Sequence, residues 1–161
     1  MTVKSHEAEP TRTALFAGSF DPYTVGHASI VGRALPLFDK IIIAVGVNPG
    51  KPGRRLAGEL VAAIERVYAS LPPGRVEVVS YSHELTVDLA RRLGARWLLR
   101  GVRSVADFEY ERNLADLNRK LSGLETILLY TLPEYAAVSS SAVRELESYG
   151  ADVSQFMPKP L

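Results

Sequence analysis

The chain has no cysteine among its 161 residues. Disulfides, thiolate metal sites and cysteine nucleophiles are thereby excluded, and the usage fits a reducing compartment. It has no long hydrophobic run either. The most apolar stretch, IIIAVGV over 41–47, is far short of the roughly 20 residues a transmembrane helix needs. Neither sign of charge dominates: 19 Lys and Arg stand against 18 Asp and Glu, a net charge of +1. A nucleic acid or a membrane surface therefore has no global electrostatic hold on it. Residues 1–12, MTVKSHEAEPTR, lack the apolar segment of a signal peptide, and no internal repeat or low-complexity tract is present. The expectation is a cytoplasmic protein with a frayed leader over 1–12 and a single domain over 13–161, with no nucleic-acid or membrane partner.

What is present is an alternation. Short apolar runs predict strands over 13–18 (TALFAG), 40–47 (KIIIAVGV), 75–81 (RVEVVSY), 96–101 (RWLLRG) and 125–131 (ETILLYT). Helical spacing occupies 26–38, with Pro36 ending or kinking it, then 56–71, closed by Pro72-Pro73-Gly74, then 86–94, 107–123 and 140–150. A turn-rich basic loop, NPGKPGRR, fills 48–55. Strands separated by helices of this length predict an α/β fold: a doubly wound, Rossmann-like, five-stranded parallel sheet with helices on both faces. Such sheets bind ligands beyond the carboxyl ends of their strands. Gly18-Ser19, Asn48 to Lys51, Glu84 to Thr86, Arg100 to Arg103 and Tyr135 to Ser141 all follow predicted strands, so they should gather along one edge.

Three segments carry chemistry. In GSFDPYTVGH, a glycine at the strand end permits close approach to the backbone, and His27 falls in the first turn of the next helix, where free N–H groups favour an anion. His27 reads either as a local cap or as a hydrogen-bond donor to phosphate; Asp21-Pro22 reads as a turn that sets the geometry. In LLRGVRS, Arg100 and Arg103 bracket a glycine at a strand end and offer forked donors to phosphate, although a solvated pair is the plainer alternative. In YAAVSSSAVRE, three serines supply hydroxyls and helix-capping chemistry, where one would suffice for a plain cap. Arg144, in the first helical turn, opposes the macrodipole unless an anion sits nearby.

GSFDPYTVGH, RGVRSVADFEYE and VSSSAVRE, in that order, resemble the motifs of the phosphopantetheine adenylyltransferases, within the nucleotidyltransferases that carry a T/H-x-G-H motif. The resemblance runs from about Thr13 to Pro158. It implies transfer of the adenylyl group of ATP to 4′-phosphopantetheine, giving dephospho-coenzyme A and pyrophosphate in coenzyme A biosynthesis. It implies His27, Ser19, Lys51 and Arg103 as the catalytic set. For ATP it implies Ser19, Phe20, His27, Gly101, Val102, Arg103, Glu111 and the segment Tyr135, Ala136, Ala137, Val138, Ser139, Ser140, Ser141. For the pantetheine substrate it implies Ser19, Lys51, Glu84, Thr86, Arg100 and Asn118. Mg²⁺ is expected to arrive with ATP and to have no dedicated protein ligand; a homohexamer and feedback by coenzyme A are further implications. The chain departs from the family at RRLAGEL, where an aromatic residue and an acidic-acidic-Arg helix start are usual, and at Ala136-Ala137, where bulkier residues often stand.

The chemistry the resemblance implies needs no general base. A phosphomonoester with a second pKa of about 6 is mostly dianionic at neutral pH, so the work is to hold two polyanions in line and neutralise developing charge. The alternatives are an adenylyltransferase for another phosphate acceptor, such as nicotinamide mononucleotide, and a non-catalytic nucleotide-binding sensor.

Overall fold

The computed structural model describes residues 11–48, 50–51 and 54–161. The leader expected over 1–12 lies outside the described residues except for its last two. Of these, Arg12 is tied to the domain: its backbone N–H and guanidinium both donate to the Asp39 carboxylate, at 2.8 and 2.9 Å.

Five strands form one parallel sheet: β1 (Thr13–Gly18), β2 (Lys40–Gly46), β3 (Val76–Tyr81), β4 (Trp97–Val102) and β5 (Glu125–Tyr130), in the order β3-β2-β1-β4-β5. β1 and β2 are buried along nearly their whole length, which is why they read as continuous apolar runs rather than alternating ones. The connecting helices are α1 (Val25–Ala34), α2 (Ala57–Val67), α3 (Thr86–Arg92) and α4 (Val105–Ser122), with α5 (Ser140–Ser148) after β5. The β1 residues Ala14 and Phe16 pack with Ile30 and Val31 of α1 and Ile64 and Val67 of α2 on one face. Leu15 and Ala17 point the other way and pack with Val87, Leu89 and Ala90 of α3. This alternation of β1 side chains between two cores is the doubly wound layout read from the sequence.

The boundaries follow local chemistry. α1 stops at Ala34, two residues before Pro36; Leu35 keeps helical dihedrals (φ −52°, ψ −39°), and Pro36 has no N–H to carry the ladder further. α4 begins two residues earlier than its pattern predicts, because Ser104 accepts from the Asp107 N–H as N-cap. It ends at Gly123, whose φ of 73° is the left-handed conformation that glycine supplies without penalty. Two single 3₁₀ turns, Pro133–Tyr135 and Ser154–Phe156, are too short to carry a periodic signal.

One asymmetry in the sheet positions the site. β1 shares six register pairs with β2 but only two with β4, Ala14 with Trp97 and Leu15 with Leu98. Beyond Leu15 the two strands part. The order reverses between β1 and β4, and at such a point the connections leave in opposite directions and open a crevice.

Candidate active site

Three adjoining cavities run along the carboxyl edge of the sheet. The first, of about 370 Å³, is lined by Ser19, Phe20, His27, Arg100, Gly101, Arg103, Glu111, Val138 and Ser139 to Ser141 among the expected residues. The second, of about 170 Å³, lies on the α3–α4 face and includes Thr86, Arg100, Glu111 and Asn118. The third, of about 440 Å³, holds Lys51 together with Asp21, Arg54 and Arg55, and it meets the first at Ser19. Residues scattered over more than a hundred positions thus converge on one edge.

The capping reading of His27 holds on Nδ1, and this leaves Nε2 for donation. Its Nδ1 accepts from the Thr24 backbone N–H at 3.0 Å, with the Thr24 hydroxyl at 3.1 Å. A nitrogen that accepts from an amide carries no proton, so the neutral ring is the Nε2–H tautomer. Tyr23 stacks on the ring with centroids 5.4 Å apart, and Phe20 meets it edge-on at 5.0 Å. Burial, reinforced by the Arg103 and Arg100 charges, lowers its pKa from 6.5 to about 4. His27 is therefore a neutral, oriented N–H donor at physiological pH. Gly18, which lines the first cavity, is also needed on the aromatic side of this box: a Cβ there would stand 3.0 Å from the Phe20 ring.

Where β1 and β4 part, Arg100 fills the gap. Its Nη1 donates to the Ala17 carbonyl, which the ladder leaves unpaired, while Nε and Nη2 clasp the buried Glu111 carboxylate at 2.9 and 2.7 Å. The fork is bidentate, the strongest form of this pair. The Arg100–Glu111 pair forms a partition shared by the first two cavities. Glu111 is the only buried residue of α4. It borders the first cavity, with its carboxylate already engaged by Arg100. Arg103, at the other side of the first cavity, contacts Asp107 at 3.3 Å and stays partly exposed.

An ionic cluster joins the third cavity to α5. Asp21, 3% exposed, receives Arg55 Nη1 at 2.9 Å and Arg54 Nη1 at 3.4 Å. Arg55 also donates to Glu147 at 2.6 Å, and Arg144 donates to the Asp21 carbonyl. The atypical RRLAGEL segment thus brings its two arginines onto the turn that the sequence marked as structural. Arg144, close to Arg54 and Arg55, has its pKa lowered by desolvation first and by Arg54 next. A buried carboxylate needs such partners.

The serine segment divides its work. Ser139 is the plain N-cap, accepting from the Ala142 N–H at 3.1 Å; Ser140 donates to the Pro22 carbonyl at 2.8 Å; Ser141 is exposed. Some expected residues stand apart from the three cavities. Val102 is buried in the core, and Ala136 and Ala137 are exposed beyond the cavity lining. Tyr135 packs beside Gly26 at the start of α1. Glu84 turns to Arg92, with contacts of 3.1 and 2.7 Å, which hold its carboxyl below the usual range. Among the described residues, no helix is long and apolar enough to cross a membrane.

The profile of the cytidylyltransferase-like family matches residues 15–146, from β1 into α5. A phosphopantetheine adenylyltransferase of Porphyromonas gingivalis is 56% identical over 146 residues, 91% of this chain and 94% of that one. Its counterpart in Bacteroides fragilis is 47% identical over 148 residues, 92% and 97% of the two chains. The chain belongs to the phosphopantetheine adenylyltransferase family. Solved structures share the fold at low identity. A putative nicotinate-nucleotide adenylyltransferase of Vibrio parahaemolyticus has a TM-score of 0.62 at 18% identity, with coverage of 92% of this chain and 94% of that one. A bifunctional NMN adenylyltransferase/ADP ribose pyrophosphatase of Francisella tularensis has 0.69 at 16%, with coverage of 91% and 45%.

Sequence reasoning missed several residues that line this phosphopantetheine adenylyltransferase-family edge. Thr24, Asp107, Tyr110 and Thr131 border the first cavity, and Leu114, Ala115 and Thr126 the second. Asp107 and Tyr110 had a signal, since they fall in the quoted RGVRSVADFEYE. Thr126 had none: a β-branched residue in a strand is what propensity alone predicts.

Proposed function

We propose that the protein transfers the adenylyl group of ATP to 4′-phosphopantetheine, forming dephospho-coenzyme A and releasing pyrophosphate. The observation that carries the reading is the run of three cavities meeting at Ser19 and at the Arg100–Glu111 pair, in a chain of this family. ATP takes the first cavity, the acceptor's phosphate lies between Ser19 and Lys51, and its amide-bearing arm enters the second cavity.

A phosphate oxygen of the acceptor attacks the α-phosphorus as the bond to the β-phosphate oxygen breaks, and pyrophosphate leaves. The acceptor dianion needs no deprotonation, and no covalent enzyme intermediate is required. His27 Nε2–H donates to the α-phosphoryl oxygens, whose charge rises in the transition state. A neutral donor of fixed tautomer meets that charge without reorganising. Ser19 offers its hydroxyl, while Lys51 and Arg103 add positive charge on the two sides. Mg²⁺, when bound, screens the triphosphate. The carboxylates bordering the first cavity, Asp107 and Glu111, are each engaged by an arginine, which fits a cation held by phosphate oxygens and water. The result that supports the assignment is a His27→Ala enzyme whose kcat falls about 10²-fold or more with ATP affinity little changed; a near-normal kcat contradicts it.

Assembly and control belong to the same proposal. α4 exposes Val105, Tyr110, Leu117 and Leu121, and the edge strand β5 has no buried residue. Apolar surface of this extent on one helix suits burial against further copies, and we assign it to a homohexamer. Coenzyme A, which carries both the adenylyl and the pantetheine portions, fits the joined cavities as a feedback inhibitor. A cytoplasmic site of action goes with ATP as donor and with a chain free of cysteine.

A further inference from the structure

Among the described residues, one buried side-chain polar atom has no hydrogen-bond partner: the Thr126 hydroxyl oxygen. Thr126 sits on β5 opposite Leu98 of β4, and both line the second cavity. The wall around it is largely apolar, with Leu15, Leu98 and Leu114. The neighbouring polar groups, Asn118 and Thr86, line the same cavity, yet neither bonds Thr126. A buried hydroxyl with no partner is a cost to the free fold, and valine has the same shape without that cost. The strand position itself gives no reason for the hydroxyl, since valine is at least as good a strand former.

We propose that Thr126 determines acceptor specificity: its hydroxyl is the hydrogen-bond partner of an amide group on the substrate arm that enters the second cavity. The inference rests on the proposed function and adds to it a residue that neither the motifs nor the spacing identify. A secondary amide offers both a carbonyl acceptor and an N–H donor, and a threonine hydroxyl serves either. Leu15, Leu98 and Leu114 accommodate the methylenes that separate such amides. The arrangement discriminates by what it leaves unmade: an acceptor lacking the amide leaves the hydroxyl buried and unpaired.

The two roles of the hydroxyl have opposite signs in one substitution, and this separates the proposal from a merely structural role. In Thr126→Val the free protein loses an unpaired polar group, so its Tm stays level or rises. The same change raises KM for 4′-phosphopantetheine about tenfold, the value of one neutral hydrogen bond, and leaves KM for ATP within about twofold. Thr126→Ser, which keeps the hydroxyl, restores the acceptor KM to within a few-fold of wild type while lowering Tm through the lost methyl. The proposal is overturned by an unchanged acceptor KM in Thr126→Val, by a parallel rise in both KM values, or by a fall in Tm for Thr126→Val as large as that for Thr126→Ser. Wild-type protein that does not turn over 4′-phosphopantetheine at all overturns the functional reading itself, whereas a failure confined to the variants overturns only the role of Thr126.

Discussion

His27 is held neutral by its surroundings, and this has a measurable price in acid. The ring titrates near 6.5 when unfolded and at about 4 in the fold, because burial and the Arg103 and Arg100 charges disfavour the imidazolium. Above pH 6.5 both states are neutral at this position and stability does not depend on its proton. Between 6.5 and 4 the unfolded chain binds a proton that the folded chain does not, so stability falls as pH falls. Below 4 the loss is complete, at about 3 kcal/mol from 1.36 kcal/mol for each tenfold change in proton affinity. The perturbation is His27→Gln, which removes the titrating group. Urea unfolding followed by circular dichroism from pH 7.5 to 3.5 should show wild type losing about 3 kcal/mol more than the variant across that window, since the other titrating groups are common to both. The His27 ring, followed by NMR, should titrate far below 6.5, and kcat/KM should show no acid limb from this residue near 6.5. A ring that titrates near 6.5, with a stability difference flat in pH, would refute the assignment of a neutral Nε2–H donor.

Three further outcomes follow from the geometry. Gly18→Ala places a methyl 3.0 Å from a Phe20 ring that Phe16, Tyr23 and His27 enclose; thermal unfolding should show a loss of about 1–3 kcal/mol from overpacking, with kcat reduced. Glu111→Gln removes the charge from a bidentate pair whose arginine is about a third exposed and should cost about 1–3 kcal/mol by denaturant unfolding, whereas Ser104→Ala, which removes only the α4 cap, should cost about 1 kcal/mol. Arg55 and Glu147 act through one contact, so their single and double alanine variants should be non-additive in stability by at least about 0.5 kcal/mol; additive losses would mean the Asp21 cluster does not couple the loop to α5.

The architecture was legible because β1 and β2 are apolar throughout and the helices keep their spacing; the regular elements fall where the pattern puts them, with ends shifted by a residue or several. The gathering of Ser19, His27, Arg100, Arg103 and Ser139 to Ser141 was legible from the rule that strand ends carry the site. What lay hidden depends on pairings across long separations. The parting of β1 from β4 after Leu15 has no local signature, so neither the Arg100 bond to the Ala17 carbonyl nor the partition it builds with Glu111 could be read from the sequence. Tyr68 is 45 residues from Tyr23, yet their hydroxyls meet at 2.5 Å and back the ring that stacks on His27. Arg54 and Arg55 looked like loop charges, and only the fold brings them to Asp21. Glu84 shows the converse: a strand-end acid at the expected place, turned toward Arg92.

The most direct test is pyrophosphate release from ATP and Mg²⁺ with either 4′-phosphopantetheine or nicotinamide mononucleotide as acceptor, with His27→Ala protein as the control. Release with phosphopantetheine alone, lost in the variant, is the predicted result. Release with the mononucleotide alone, or binding of ATP with no release from either acceptor, would contradict it.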